Sequence, residues 1–501
     1  MANDVIFNKG QGGLGRPLAG TDYISGLLFY SNATLPTGFS SSDRVKVVYS
    51  VEDAENLGIL DTHLGETKAT GTVTVTGAGA QNDTIKVEVV TDIATVDLGT
   101  ATVGATPTTT TVATAIAAAI NAGTATHGFT ATSNVAVVTV TAPSGSGAGA
   151  NAYTFSLTIT GTATASNAAF SSGVASDIDI LHYHISEYFR VQPKGKLWVS
   201  IQATADVATW AKVTTLQNTA AGEIKQLGIY QKSSAFATSQ VTTLQAVLDT
   251  LESNHKTISS VVYQADFSAV SDLTTLSDLK ALSGKNITVT IGQDGANVGY
   301  ALWRATTKSI GCLGTTLGAI SLAKVNESIR WIAKFNMAAD EYDTLAFANG
   351  DFYTDLSDGT ISGIDTVGYV FLKKEVGLVG SFHNRPHTAI ALTSDYTWIY
   401  NNRTIDKAIR GLRAFLLPQL ASPLVINANG TLNEDTIAYF DTLCKRALEV
   451  MQRESELSAF AVTIDPTQNV LSTNTLTIAV KLVPVGVADT IVVNVGFALS
   501  V

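Results

Sequence analysis

The chain has 501 residues, 45% of them hydrophobic, and carries 42 acidic against 31 basic side chains for a net charge of -11. That length predicts about three domains of roughly 100 to 200 residues each. The acidic balance, with no Lys/Arg cluster, argues against nucleic acid as a partner, because phosphate binding rests on such clusters.

In chain order, the opening "MANDVIFNKGQGG" lacks the basic stretch and apolar core of a secretory signal, so synthesis and retention in the cytoplasm are expected. No apolar run reaches the roughly 18 residues of a membrane helix, so membrane insertion is not expected. Gly10, Gly12 and Gly15 match G-x-G-x-x-G spacing, but in a dinucleotide site the third glycine opens a helix. Here "RPLAGTDY" follows, with Pro17 and no helical period, and residues 1–20 read as a flexible extended arm. From Leu98 to Ser176 there is no Asp, Glu, Lys or Arg. "GTVTVTG", "IKVEVV", "VAVVTVTA" and "YTFSLTITG" read as short strands of a sandwich-like unit. "TPTTTTVATAIAAAINAG" reads as one helix, which Gly123 ends. This Thr/Ala-rich β module, 66–175, looks inserted, since removing it joins "VKVVYSVEDAENLGIL" to "ASDIDILHYHISEYFRVQPKGKLWVSIQ", a strand, helix, helix, strand fragment. Surface connections tolerate such insertions.

The flanking segments, 21–65 plus 176–370, form a discontinuous α/β domain. "DVATWAKVTTLQN", "QVTTLQAVLDTLESN" and "SDLTTLSDLKALSG" read as helices, each followed by a strand, which predicts layers around a mostly parallel sheet. A helix-rich stretch follows from Tyr300 to about Lys334, and the glycines of "GCLGTTLGAISLAK" suit close helix packing. Residues 371–484 read as an α+β unit. "NNRTIDKAIRGLRAFLLPQL" is an amphipathic helix stopped near Pro418, and "NEDTIAYFDTLCKRALEVMQRESEL" is a longer one. Asn433 is its expected N-cap, with Glu434 and Asp435 where a helix N-terminus favours negative charge. "AFAVTIDP", "TLTIAVKLVPV" and "DTIVVNVGFAL" read as strands. In the last of these Ile491, Val493, Val495 and Phe497 share one face by the period of two, and an uncharged edge of that kind invites pairing with another chain. Residues 485–501 are therefore a second arm.

Motifs for chemistry are few. His182 and His184 sit two apart in a helix and point to different faces. His383 and His387 are separated by Pro386, which rules out a regular helix between them, and no Glu stands where a zinc protease needs its base. "SGKN" at 283–286 lacks the upstream glycine and following Ser/Thr of a phosphate loop. No G-x-S-x-G elbow occurs. Cys312 and Cys444 cannot form a disulfide framework and read as buried packing residues. No catalytic residue, cofactor or metal is assigned, and an enzyme is not expected.

With "NNRTIDKAIRGLRAFLLPQL" followed by "ELSAFAVTIDPTQNVLSTNTLTIAVKLVPVGVADTIVVNVGF", the C-terminal third resembles contractile tail sheath proteins of bacteriophages and related injection machines, closest to Mu-like and neighbouring groups. The preceding "VGYVFLKKEVGLVGSFHNRPHTAIALTSDYTWIYNNR" fits the same family. The resemblance implies an α/β and α+β multidomain fold: a sheath core of mixed α/β layers carrying the inserted module and two strand arms. It implies hexameric rings stacked helically around an inner tube, contraction without a nucleotide, and location in a virion tail. It names as partners the chain itself, the inner tail tube protein, and baseplate and tail terminator proteins. The arms would add strands to neighbouring subunits, through Val5, Ile6 and Phe7 at one end and Ile491, Val493, Val495 and Phe497 at the other. The C-terminal domain would lie innermost, with Asp441, Lys445, Arg446, Glu449 and Arg453 towards the tube. The alternative is a surface-layer or adhesin-like array protein built on Thr-rich β modules.

Overall fold

The computed structural model describes residues 20–31, 34–203, 206–339 and 341–497. Val5, Ile6, Phe7 and the Gly10, Gly12, Gly15 motif lie outside these. Strand β1, Ser25–Tyr30, is buried along its whole length, as befits a strand covered on both faces. Leu27 and Phe29 serve one core while Leu28 and Tyr30 serve another. β2 (Val45–Val48) and α1 (Val51–Asn56) follow, the helix capped by Ser50.

The chain then enters a β-rich unit comprising β3 (Thr70–Gly77), β4 (Thr84–Val90), β5 (Thr95–Thr102), α2 (Thr109–Ala122), β6 (Thr130–Asn134), β7 (Val137–Thr141), β8 (Thr154–Thr160) and β9 (Thr164–Ser171). Two antiparallel sheets, ordered β6-β7-β3-β9 and β5-β4-β8, share one apolar core. Alternation explains it: Val73 and Val75 of β3 and Ile85, Val87 and Val89 of β4 point inward between exposed or half-exposed neighbours. α2 presents Val112, Ile116 and Ile120 to that core and packs against both β5 and β6. The chain enters and leaves at one point, where Thr67 and Val174 bridge. There the Glu66 carboxylate accepts from the Gly145 and Gly147 amides at 2.8 and 3.2 Å.

The remaining body runs α3 (Asp177–Val191), β10 (Leu197–Gln202), α4 (Ala211–Thr219), β11 (Gln226–Ala235), α5 (Thr238–Ser253), β12 (Ser260–Asp266), β13 (Ile287–Val289), α6 (Val298–Thr306) and α7 (Leu313–Leu322). The sheet order is β13-β12-β11-β1-β10-β2, parallel throughout except for β2 against β10. α3 and α7 pack closely because Gly314 and Gly318 admit the α3 backbone, with Gly318 set against the Tyr188 carbonyl. The sequence reading of those glycines as packing residues holds.

Two helical expectations fail. "SDLTTLSDLKALSG" forms only short 3-10 turns, Leu273–Thr275 and Leu279–Ala281. Asp272 and Asp278 each accept from the backbone two residues on, and such side chains compete with a continuous helix. The helix-rich stretch also stops at Leu322, and residues 324–335 turn repeatedly. Glu327 and Ser328 side chains take the amides of Lys324 and Arg330.

A hairpin of β14 (Leu372–Lys373) and β15 (Phe382–His383) leads to the C-terminal region. That region comprises α8 (Ile399–Leu416), α9 (Glu434–Arg453), β16 (Leu457–Thr463) and β17 (Ala479–Pro484). Asn433 caps α9 by accepting from the Asp435 amide. Among the described residues no helix is long and apolar enough to cross a membrane. Gly314→Val should push α7 off the carbonyl of His184, costing about 1–3 kcal/mol as overpacking does. A melting temperature lowered by several degrees in differential scanning calorimetry is the expected result.

Candidate functional site

β16 and β17 form an antiparallel two-stranded sheet, with Thr463 opposite Ala479 and Ala461 opposite Lys481. Neither has a second strand neighbour among the described residues. On the inward face Phe460 and Val462 from β16 meet Val480 and Leu482 from β17 over Ala408, Leu448 and Met451. The stripe continues through Leu476 and Ile478 to a second small core at Phe440 and Leu443. β16 packs on α9, while β17 lies towards α8.

Beside β17 the cover is incomplete. Ile405, Ile409, Leu412 and Leu416 recur at helical spacing on α8, and all four are at least partly exposed, Ile409 by 47%. Ile405 lines a slot of about 250 Å³ with Leu482 and Pro484. Leu416 lines a groove of about 710 Å³ with Leu476 and Ile478. The two cavities flank the unpaired edge of β17 at its two ends.

The final run was expected as a strand. In the single chain, 485–497 forms no ladder, because after Pro484 it leaves the hairpin, and Asp489 sits 3.8 Å from Arg330 of the body. Ile491, Val493, Val495 and Phe497 are exposed, the last completely. A strand needs a partner edge, and among the described residues this run is paired with none in its own chain. Asp441, Lys445, Arg446, Glu449 and Arg453 occupy the polar side of α9, and Lys445 pairs with Asp441 at 2.7 Å. They are well separated along the chain from the exposed run, and among the described residues no hydrogen bond or ion pair joins them to it.

A charged joint that sequence reasoning missed ties this region to the body. Lys407 Nζ lies 3.0 Å from Asp22 Oδ2 and 2.6 Å from Glu456 Oε1, and Arg410 pairs with the same Asp22. The buried Arg403 guanidinium donates to the carbonyls of Ala323 and Lys324, each at 3.1 Å. Burial opposes ionisation of Asp22, and the Arg410 and Lys407 charges outweigh it, holding its carboxyl below the ordinary range. Asp406, facing Arg410, Lys225, Lys285 and Glu252, is dominated by burial and pushed up to about 7. Its Oδ2 has no hydrogen-bond partner. The partners of α8 in this joint lie from 49 to 388 residues away in the chain, beyond the reach of helical periodicity.

Two of the histidines belong to the core. His184 and His383 are fully buried, and desolvation lowers both to about 3. His383 Nε2 meets Thr316 at 3.1 Å. Both cysteines are buried and free. Among the described residues no group of His, Cys, Asp or Glu has the arrangement of a metal site.

Residues 395–501 match a family model described as DUF2586, C-terminal domain. A comparison with curated proteins finds no match. Solved structures with a similar chain path include the contracted helical sheath of the anti-feeding prophage, at 15% identity over 63% of this chain and 81% of that one, TM-score 0.45. Another is the contracted PVC sheath complex of an extracellular contractile injection system, at 14% identity over 64% and 80%, TM-score 0.43. A third is a sheath tail protein from Listeria innocua, at 12% identity over 94% and 97%, TM-score 0.39. These neighbours are contractile tail sheath proteins.

Asp406 gives a pH test. Its folded carboxyl keeps its proton to about pH 7 while the unfolded one ionises near 4, so the unfolded state gains stability as pH rises through that window. Asp406→Asn should flatten the fall in melting temperature between pH 5 and 8, a difference on the order of a few kcal/mol. The readout is thermal denaturation of both proteins at each pH.

Proposed function

We propose that this protein is a structural subunit of a contractile tail sheath rather than an enzyme. Copies polymerise helically by adding the terminal run of one to the unpaired edge of β17 in another. The observation that carries the reading is the coincidence, in one chain, of an exposed period-two apolar run and an unpaired strand edge beside a half-covered helix. Main-chain hydrogen bonds supply affinity in strand addition, and alternate side chains seated in pockets supply register. Ile491, Val493, Val495 and Phe497 supply those side chains, and the α8 stripe with the slot at Ile405, Leu482 and Pro484 supplies the pockets. Head-to-tail contact of unlike surfaces gives a helix of subunits when it does not close. The family resemblance of residues 403–413 and 457–497 adds the rest: a sleeve in rings of six around an inner tube, baseplate and terminator at its ends, located in a virion tail, with Val5, Ile6 and Phe7 as the second arm.

On this reading the α9 side chains Asp441, Lys445, Arg446, Glu449 and Arg453 face the tube. The β-rich module 66–175 decorates the outside. A flat array of the surface-layer type is the competing arrangement, and the shape of the polymer in electron micrographs separates them, tubes against sheets.

Removing residues 487–501 should leave folded, soluble chains that no longer sediment as polymers. Val493→Pro, which deletes a ladder donor, should act in the same direction. Tubes of normal length from either variant in negative-stain images would refute strand addition by this run. Deleting 66–175 should leave tubes intact and narrower, measured in the same images.

A further inference from the structure

We propose that the tip of the β14–β15 hairpin seats in the apolar groove at the remote end of α8 in a second copy of this chain. The proposal rests on the self-assembly reading above and assigns it a contact independent of the terminal run. At the tip, Val376 and Val379 are fully exposed, at 106% and 97%, and Leu378 is half exposed. Single exposed apolar residues are ordinary on a protein surface, whereas a cluster on a projecting loop marks a contact site.

The tip is held in shape. Leu378 donates its amide to the Glu375 carbonyl at 3.1 Å, and Lys373 pairs with Glu375 at 2.7 Å. Asn336 accepts from the Ser381 amide at 3.0 Å. Gly377 and Gly380 supply positive φ angles of 84° and 132°, which other residues adopt at a cost. The loop thus presents its apolar side chains to water without freedom to tuck them away, and a preformed knob loses little entropy on docking.

The groove is the matching surface. Leu416, Leu420, Leu424, Phe440, Leu476 and Ile478 line it with a few uncharged polar side chains and no charged one; Leu471, also in its wall, and nearby Val425 stand exposed at 69% and 64%. Its own hairpin belongs to the opposite end of α8. The helix begins against the body, with Ile399 in the body core and Trp398 stacked on His387. Eighteen residues of helix then carry the chain about 27 Å away at 1.5 Å per residue. The copy's own terminal run departs from the other end of β17, towards Arg330. Charge agrees with the pairing. Lys373 is paired with Glu375, which leaves Lys374 as the positive charge before the tip, and Glu434 and Asp435, exposed at the start of α9, stand next to the groove wall, where the Asn433 amide donates to the Val425 carbonyl. Knob and groove are unlike surfaces on one chain, so each copy offers one to each of two neighbours and the contact propagates.

Full-length Val379→Cys and full-length Leu471→Cys, carrying tags of different size, test this when mixed under mild oxidation and run on a non-reducing gel. Wild type is the control, because both native cysteines are buried. The expected result is a mixed dimer at a yield about tenfold above either variant alone, as a specific contact worth more than about 1.4 kcal/mol requires. No mixed dimer overturns the proposal. A mixed dimer from Val495→Cys with Leu471→Cys, and none from Val379→Cys, gives the groove to the terminal run and also overturns it. As a second readout, Val376→Asp with Val379→Asp should leave the melting temperature unchanged and raise the protein concentration needed for sedimentable polymer about tenfold; an unchanged concentration counts against the contact. Polymer that forms without the cross-link would remove this contact and leave self-assembly standing, whereas polymer from chains ending at residue 486 would remove strand addition and leave the cross-link.

Discussion

A sheet of two strands is the constraint on which the C-terminal region depends. Two paired strands leave half of their backbone donors and acceptors facing outward, and such a hairpin is marginal unless something packs against it or extends it. Here α9 supports β16 from below, while β17 lies beside an α8 stripe that is only half covered. The same chain leaves Ile491, Val493, Val495 and Phe497 in water. On the proposed reading, the unfilled edge of one copy and the terminal run of the next satisfy each other head to tail.

The β-rich unit manages the same hazard differently. Its edges β5 and β6 are covered by α2, which feeds Val112, Ile116 and Ile120 into the shared core. It is fixed to the body by a bidentate Arg304–Asp92 pair, both bonds at 2.7 Å, and by the Glu66 clamp at its neck. Two of its four edge strands are thus covered, whereas the C-terminal hairpin leaves the edge of β17 open. The joint between body and C-terminal region is different again. Lys407, Arg410, Asp22 and Glu456 meet there as charges. Partly buried ion pairs add little net stability but are costly to break one partner at a time, so this joint specifies a relative orientation more than it adds cohesion.

Much of this was legible in the residues. The period-two strands of 70–160 and the alternation of helix and strand from 177 to 289 follow from side-chain patterning, as do the α9 cap at Asn433 and the glycine contacts of α7. The pairing of β2 with β10 across the 66–175 module was not legible, although both were read as strands. Local competition misled the reading at 272–281, where two aspartates cap short turns in place of a helix. What no window could show were long-range meetings: Asp22 with Lys407 and Arg410, Arg403 with the carbonyls past α7, and the stripe of α8 beside an empty edge. The terminal run read as a strand because its residues favour one. Within its own chain it joins no edge, because after Pro484 it turns away from the open edge of β17.

Hydrogen exchange compared between dispersed and assembled protein tests the central claim most directly. Those amides of 479–483 that face away from β16, and the amides of 491–497, should exchange freely in the dispersed chain and become protected together on assembly, because they form one ladder. Assembled material in which either segment still exchanges at the dispersed rate would contradict it.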